Sequence, residues 1–552
     1  MSKKPVDADL LSVYTYWDSP ESYTCPLCDE KIDYAYNDGG RELVTLKGKL
    51  WIITNYYRCT NSGCPLHKAF PILHENVIKN KKFGKDIWER IIRYHFKTHL
   101  DYGQIKEILW DDSEVSIAKS TIASICDYFK TAGITYLDQK IKEEIKDQGY
   151  IILTLDGAQP KKGTPALWIF TDRGTRHTIY STLLDSAIAP VLTEIMRTLE
   201  KEFQVPIKVV ISDKQKNIVN AVKEFNPELP HIYCQYHFLN HIMEPIISKD
   251  SHIATQLKKT IRNLSLVVNL PKAYLSPRNK EYNSHYATFA PLAEELLNAI
   301  AVRGRKWEVL PGKEIYENIQ FIYNELSSIN LVGLTQKVKY SIKSVMGQLK
   351  KQLNRFKLLY DEILHLIDDS NDLRNVLSQN RRKSKTIKKA VKTWVYRLQS
   401  RLKRRDLENN PSKLKYIQFR HDTILEEIWQ QWIRLEWSYH EGLYHSYDDP
   451  EYEKTNNPTE QLINQIKRHF KKWLGQQDIQ QIFERHSEDY SQLIELDYSP
   501  EQLNEILWKQ TVAFVPGKIS PLESFQATIK RNWRISEISS GNFELFLQKI
   551  KS

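Results

Sequence analysis

The sequence predicts a multidomain α+β chain, on three observations. Four of its six cysteines fall as two close pairs within the first 64 residues. β-rich apolar runs cluster between Gly149 and Tyr233. From about residue 240 to 445 the apolar spacing is helical throughout. A length of 552 residues leaves room for roughly three or four domains. Hydrophobic content of 41% and charged content of 27% exclude a disordered chain, and 19 glycines and 22 prolines exclude a fibrous one. No apolar run approaches the ~18 residues of a membrane span. Met1–Asp9, with two lysines and two aspartates, does not read as a secretory signal. The expectation is an intracellular protein without a membrane partner. Its organisation reads as 1–80, 81–146, a mixed core begun over 147–240 and resumed over 446–490, a helical insertion over 241–445, and a helical segment over 491–552.

The first segment carries Cys25-x2-Cys28 and, thirty residues on, Cys59-x4-Cys64. A tight turn lets two thiolates face one ion, and a second such turn closes a tetrahedron, the arrangement of a structural zinc site. Asp38-Gly39-Gly40 reads as a turn and Trp51–Tyr57 as a strand feeding the second knuckle. The pattern is that of a zinc ribbon holding one Zn2+, with His67 as an alternative to Cys64 and four buried free thiols as the plain alternative. A redox use of Cys25-x2-Cys28 is disfavoured, since no βαβ pattern follows.

Helical spacing then covers Lys85–Thr98, Tyr102–Leu109 and Ile117–Tyr128. Three short helices with a tight connection suggest a helix-turn-helix, with Ser120 and Thr121 at the start of the third able to reach phosphates or base edges. A plain helical bundle fits the same pattern.

The core begins with a strand through Tyr150–Leu155 that ends at Asp156-Gly157. Strands over Leu167–Phe170 and Arg176–Leu183 follow, joined by a turn at Asp172-Arg173-Gly174. Next come a helix over Ala189–Glu202, a strand over Ile207–Ser212 ending at Asp213, a helix over Lys216–Phe225 and a short strand at His231–Tyr233. Carboxyl ends of adjacent strands converge on one sheet edge, where active sites gather. Two carboxylates there repel unless hard divalent cations neutralise them. Each acid also has a modest structural reading. Asp213 fits an N-cap and Asp156 a turn. Glu460 fits the N3 position of a capping box led by Asn457 and Pro458.

Together, Leu155-Asp156-Gly157, Ile211-Ser212-Asp213, Cys234-Gln235-Tyr236-His237-Phe238 and Thr455-Asn456-Asn457-Pro458-Thr459-Glu460 resemble the DDE transposases of the Mutator superfamily and related prokaryotic insertion-sequence transposases. The likeness spans about residues 147 to 490. It implies a ribonuclease H-like core interrupted by the all-α insertion, with the zinc ribbon and helix-turn-helix-like region as DNA-binding modules. It further implies that Asp156, Asp213 and Glu460 hold two Mg2+ or Mn2+ ions. Water would cut at the element ends, and the freed 3′-hydroxyl would attack target DNA. Cys234 and His237 match the accessory motif, supporting the site or touching DNA near it. Because 246 residues separate Asp213 from Glu460, Glu426, Glu427 and Glu441 are alternative third acids. The implied partners are duplex DNA, as terminal inverted repeats and as target, and a second copy of the chain in a dimer or larger assembly. A catalytically inactive DNA-binding descendant and a nuclease without strand transfer are the alternatives.

The net charge of +11 is not spread evenly. Arg381, Arg382, Lys383, Lys385, Lys388, Lys389, Lys392, Arg397, Arg401, Lys403, Arg404 and Arg405 contribute +12 with no acid among them. Such a strip suits phosphate contact, although a solvated helix face is the common use of a charge run. Lys467, Arg468, Lys471 and Lys472 follow Glu460 and would flank a scissile phosphate. Trp429, Trp432 and Trp437 have helical spacing and read as core, with base stacking as an alternative.

Overall fold

A computed structural model of the chain describes residues 24–509, except 73–75, 79–80, 269–279, 303, 305–308, 333, 380–381, 409–421 and 475–478. The fold is mixed α+β and mostly helical. It divides into two compact units, Met1–Leu229 with Asn456–Ser552, and Pro230–Thr455. The part of 491–552 beyond Lys509 lies outside the described residues. No described helix is long and apolar enough to cross a membrane.

The first unit opens with five short strands: β1 (Ile32–Asn37), β2 (Arg41–Thr45), β3 (Gly48–Ile52), β4 (Asn55–Cys59) and β5 (Phe70–Ile72). β4 pairs antiparallel with β1 and β5, while β2 and β3 form a separate hairpin. The single strand expected over Trp51–Tyr57 is therefore two, cut at Ile53-Thr54 where the chain changes partners. Asp38 fixes that junction, its carboxylate accepting from the backbone N–H of Gly40 at 2.9 Å and of Thr54 at 3.0 Å. Gly40 turns there at φ +83°, and a Cβ on it would meet the Trp51 indole at 2.3 Å.

Helices α1 (Lys85–Ile92), α2 (Tyr102–Ser113) and α3 (Lys119–Gln148) follow. Asp101 and Gln104 close a capping box at the start of α2. The third helix runs twenty residues past the expected end at Tyr128. Its buried stripe continues through Phe129, Leu137, Ile141 and Ile145, and it stops only at Gly149, φ +80°. A Cβ on Gly133 of α3 would crowd the Leu493 side chain at 3.1 Å.

The sheet follows: β6 (Ile151–Ala158), β7 (Ala166–Asp172), β8 (His177–Leu184), helix α4 (Ala189–Phe203), β9 (Ile207–Ser212) and helix α5 (Lys216–Phe225). Within this unit the strands lie in the order β9-β6-β7-β8. β6 runs parallel to β9 and antiparallel to β7, so its apolar run is buried on both faces.

The described residues of the second unit include the short strand β10 (His231–Tyr233) and the helices α6 (Gln235–Arg262), α7 (Lys280–Ala299), α8 (Pro311–Ser328), α9 (Gln336–Leu377), α10 (Ser384–Glu408) and α11 (Asp422–Tyr439). The spacing read from the sequence is the buried stripe of α9, with Leu349, Leu353, Phe356, Ile363 and Leu366 in the interior. Asp369 ties three helices together. Its carboxylate accepts from Arg401 at 2.6 Å and from the Trp429 indole at 3.2 Å, and its carbonyl accepts from the Trp394 indole at 2.8 Å. Trp429 and Trp432 are core as expected, but Trp437 is 81% exposed. Five residues past Trp432, the helical turn carries it off the inner face.

The chain then returns to the first unit as α12 (Asn457–Leu474), α13 (Gln480–Leu493) and α14 (Pro500–Asn504). α13 protects β8, whose outer N–H groups would otherwise be unpaired. The Glu488 carboxylate accepts from Leu183 N–H at 2.5 Å, and the Glu495 carboxylate from Thr178 N–H at 2.7 Å.

Candidate thiolate and carboxylate metal centres

The four cysteines converge. The sulfur atoms of Cys25, Cys28, Cys59 and Cys64 all lie within 4.8 Å of one another. Cys25 and Cys64 Sγ are 3.7 Å apart, and Cys28 and Cys59 Sγ 3.5 Å. A zinc tetrahedron with bonds near 2.3 Å has edges of about 3.8 Å, so the spacing fits a structural metal such as zinc. His67 is turned away, its Nδ1 2.9 Å from the carbonyl of Cys59, and Cys64 completes the cluster. Burial opposes ionisation of Cys25, but the backbone N–H groups of Leu27 and Cys28 bring its thiol down to about 7. Burial and the neighbouring sulfurs push Cys59 up to about 12. The Cys25 thiolate forms readily, whereas Cys59 and Cys64, both raised by burial, need a cation beside them.

Asp156 does not begin a turn. It lies within β6, paired with Ile169 of β7, and the strand continues to Ala158. Thr154 pairs with Ile211 across the parallel β6–β9 ladder. Asp156 lies two residues further along β6, and Asp213 directly follows the last residue of β9, so both acids come to the same end of these adjacent strands. Asp213 is not a helix cap either, because the N-cap of α5 is Gln215. Its carboxylate instead accepts from the Gln215 side chain at 2.7 Å.

Glu460 reaches this edge because the first turn of α12 is fastened to the sheet. Asn456 Nδ2 donates to the Leu155 carbonyl at 3.0 Å. The Thr459 hydroxyl lies 2.9 Å from that of Thr154 and 3.1 Å from that of Thr171, and the Thr154 and Thr171 hydroxyls bond each other. Glu460 follows in the half-buried first turn. The capping box expected of Asn457 is not formed, since its buried Oδ1 has no hydrogen-bond partner.

The electrostatics of Asp156 register this convergence. Burial, then the charges of Asp213 and Glu460, raise its carboxyl to about 7, against the pull of the Gly157 N–H and the Lys467 ammonium. Lys467, two turns beyond Glu460 on α12, is half-buried, and desolvation lowers its pKa. Unlike the thiols, the three acids are not closed to within 4.8 Å of one another. Their donor set is all oxygen, half-buried and short of positive charge, which suits a hard divalent cation. Glu426, Glu427 and Glu441 belong to the second unit, whereas Glu460 shares a unit with both aspartates.

Other expected residues are dispersed. Cys234 is the buried N-cap residue of α6, and His237 follows in its first turn with a buried, unpartnered Nδ1. Among the described residues the two belong to no group of three or more metal-ligating side chains. Ser120 is exposed and Thr121 half-buried in the first turn of α3. On α12, Arg468, Lys471 and Lys472 are exposed. Arg382 and Lys383, just before α10, and Lys385, Lys389, Lys392, Arg397 and Arg401 along it are exposed, and Lys388 is half-buried. Arg381 and the side chains of Lys403, Arg404 and Arg405 lie outside the described residues. The strip is not free of acidic partners: Arg397 pairs with Asp372 at 3.0 Å and Arg401 with Asp369 at 2.6 Å. Those acids come from α9 and are invisible to a reading along α10 alone. Sequence reasoning also missed the three threonine hydroxyls, whose only signal is Thr459 inside the motif that contains Glu460.

Comparison with protein-family models and with curated proteins returns no match for this chain.

Proposed function

We propose that the chain is a DDE-type DNA transposase, cutting DNA at element ends and joining the freed 3′ ends to target DNA. One observation carries the reading. Asp213 and Glu460, the latter 303 intervening residues from Asp156, both act on the Asp156 carboxyl at the edge of the sheet. The motif resemblance singles out the same three residues. The reading includes a ribonuclease H-like core in the first unit, the second unit as its insertion, and the zinc ribbon and α1–α3 as DNA-binding modules.

In this reading the three carboxylates hold two Mg2+ or Mn2+ ions, which supply an activated water and charge neutralisation at the scissile phosphate. Asp156, raised to about 7 by burial and by Asp213 and Glu460, would have to give up its proton to hold such an ion. The Asn456 and Thr459 hydrogen bonds orient Glu460 toward the two strands. Lys467 offsets part of the acidic charge, and Arg468, Lys471 and Lys472 stand ready for DNA phosphates. Duplex DNA is the substrate, and a second copy of the chain is needed to bring two ends together.

The test is a plasmid carrying the gene with its flanking sequence, incubated with full-length protein and Mg2+ or Mn2+, beside Asp156→Asn. Metal-dependent cleavage with joining, lost in the variant, is the expected result. Cleavage without joining would make the protein a nuclease. DNA binding with no cleavage under either metal would make it a DNA-binding protein without the chemistry.

A further inference from the structure

Helix α9 is electrically divided. Between Gln336 and Tyr360 it carries seven basic residues and no acid: Lys337, Lys339, Lys343, Lys350, Lys351, Arg355 and Lys357. From Asp361 to Leu377 it carries five acids and one arginine, and Asp369 and Asp372 of that half pair with Arg401 and Arg397 of α10. Two acids of that half are thus taken up by the neighbouring basic helix. In the basic half, Lys343, Lys350, Lys351 and Lys357 are exposed and make no ion pair among the described residues.

Geometry sharpens this. Lys343, Lys350 and Lys357 are seven residues apart, two turns each, and so form one row about 21 Å long at 1.5 Å per residue. Ile342, Val345, Leu349, Leu353 and Phe356 form the buried face, which lies about a quarter-turn round the helix from that row. With its apolar stripe used internally, the helix keeps only isolated apolar side chains such as Leu358 on its surface, too few for an insertion face. Tyr340, 77% exposed, lies at the head of the cationic row.

A second observation is independent of charge. Gly347 sits in the helix interior between Lys343 and Lys350. A Cβ there would meet nothing within 4 Å, and its φ is not in the left-handed region. Neither packing nor backbone conformation asks for glycine, and glycine costs a helix backbone entropy. Its effect is to leave the helix surface low at the centre of the cationic row, where a flat polyanion can approach the backbone closely.

We propose that the basic half of α9 is a duplex-DNA contact surface, centred on Lys343, Gly347, Lys350 and Lys357 and distinct from the strip on α10. It gives the second unit sequence-independent affinity for phosphate backbone. The proposal rests on the reading that this protein acts on DNA, and the experiment separates the two.

Binding of full-length protein to a labelled random-sequence duplex is measured by anisotropy over a range of KCl. The comparison is with a Lys343→Gln/Lys350→Gln/Lys357→Gln variant, its fold checked by thermal melting. Three lost phosphate contacts reduce the slope of log affinity against log salt by about 2 to 3. Gly347→Ala raises the melting temperature yet weakens binding several-fold. If the wild type binds the duplex and the triple variant keeps both affinity and slope, the surface is overturned and the transposase reading stands. If the wild type binds no duplex at any salt, both fall. If the triple substitution abolishes binding to vesicles of phosphatidylglycerol but leaves duplex binding intact, the surface belongs to membranes and the proposal is wrong.

Discussion

The two candidate metal centres are built in opposite ways. The cysteine cluster is local, drawing all its ligands from 40 residues and two short turns, and its sulfur atoms already stand at tetrahedral distances. The carboxylate centre is assembled across more than 300 residues, from two adjacent strands and a helix that rejoins them after a whole unit has intervened. Its acids stay apart, and burial together with the charges of Asp213 and Glu460 raises the Asp156 pKa. A closed soft site is made for holding a metal. An open hard site, with charge left uncompensated, is made for using one. The contrast implies that the first should matter mainly to stability, and the second mainly to activity at a cost in stability.

The strongest way to break that contrast is to substitute the acids. Asp156→Asn should lower DNA cleavage by at least ~1,000-fold, as removal of a metal-holding carboxylate does. The same change should stabilise the metal-free protein. A carboxyl whose folded pKa is raised from 3.8 to about 7 costs the fold nothing below its unfolded pKa. Its penalty grows as pH rises between the two values, reaching at most about 4 kcal/mol. Calorimetry without divalent metal at pH 8 should show the variant melting higher than the wild type, and the gap should close by pH 4. An unchanged melting temperature at pH 8 would mean that Asp156 is not strained by its neighbours.

At the cysteine cluster the expectations reverse. Metal analysis of the purified protein should return one zinc per chain, and Cys59→Ser should lose it, with a cost of several kcal/mol to that module. The acid centre should be untouched, so Mg2+ should still raise the melting temperature of the remaining fold. Within the acid centre, proton competition gives a smaller effect. Below about pH 7 the apparent affinity for Mg2+ should fall by up to tenfold per pH unit as Asp156 takes its proton back. Isothermal titration at pH 6, 7 and 8 measures it. Asp156→Asn should lack that dependence.

The difference also explains what was legible in the sequence. Close cysteine pairs announce themselves because their geometry is set by turns a few residues long. The runs through Leu155 and Ile211 gave both strands and the acids beyond them, since alternation and β-branching report on local burial. What stayed hidden was non-local. Trp51–Tyr57 read as one strand because nothing in its own residues says that the chain changes partners at Ile53. The third helix read short because Phe129 to Ile145 bury their side chains against elements including α13, far along the chain. The strip on α10 read as unpaired because Asp369 and Asp372 sit on another helix. Hydrogen bonds from Asn456 and Thr459 to β6 and β7 were beyond sequence reading, although both residues lie in the motif that suggested Glu460.

Those hydrogen bonds supply the most delicate test. If the acid centre is assembled by long-range fastening, loosening the fastening should cost activity with little cost in stability. Thr459→Val keeps shape and volume and removes one hydroxyl from a group of three, leaving Thr154 and Thr171 to bond each other. The net loss is about 1 kcal/mol, a few degrees or less in a protein of this size. Glu460, one residue further along α12, then loses the contact that sets its helix turn against β6. Small displacements of a reacting group are costly because orientation contributes steeply to rate. A drop in cleavage rate of about tenfold, with unchanged DNA affinity, is therefore expected, and Thr459→Ser should restore most of it by returning the hydroxyl. If Thr459→Val cleaves at the wild-type rate, the hydroxyl group is ordinary core packing, and the carboxylates find their positions through the sheet alone.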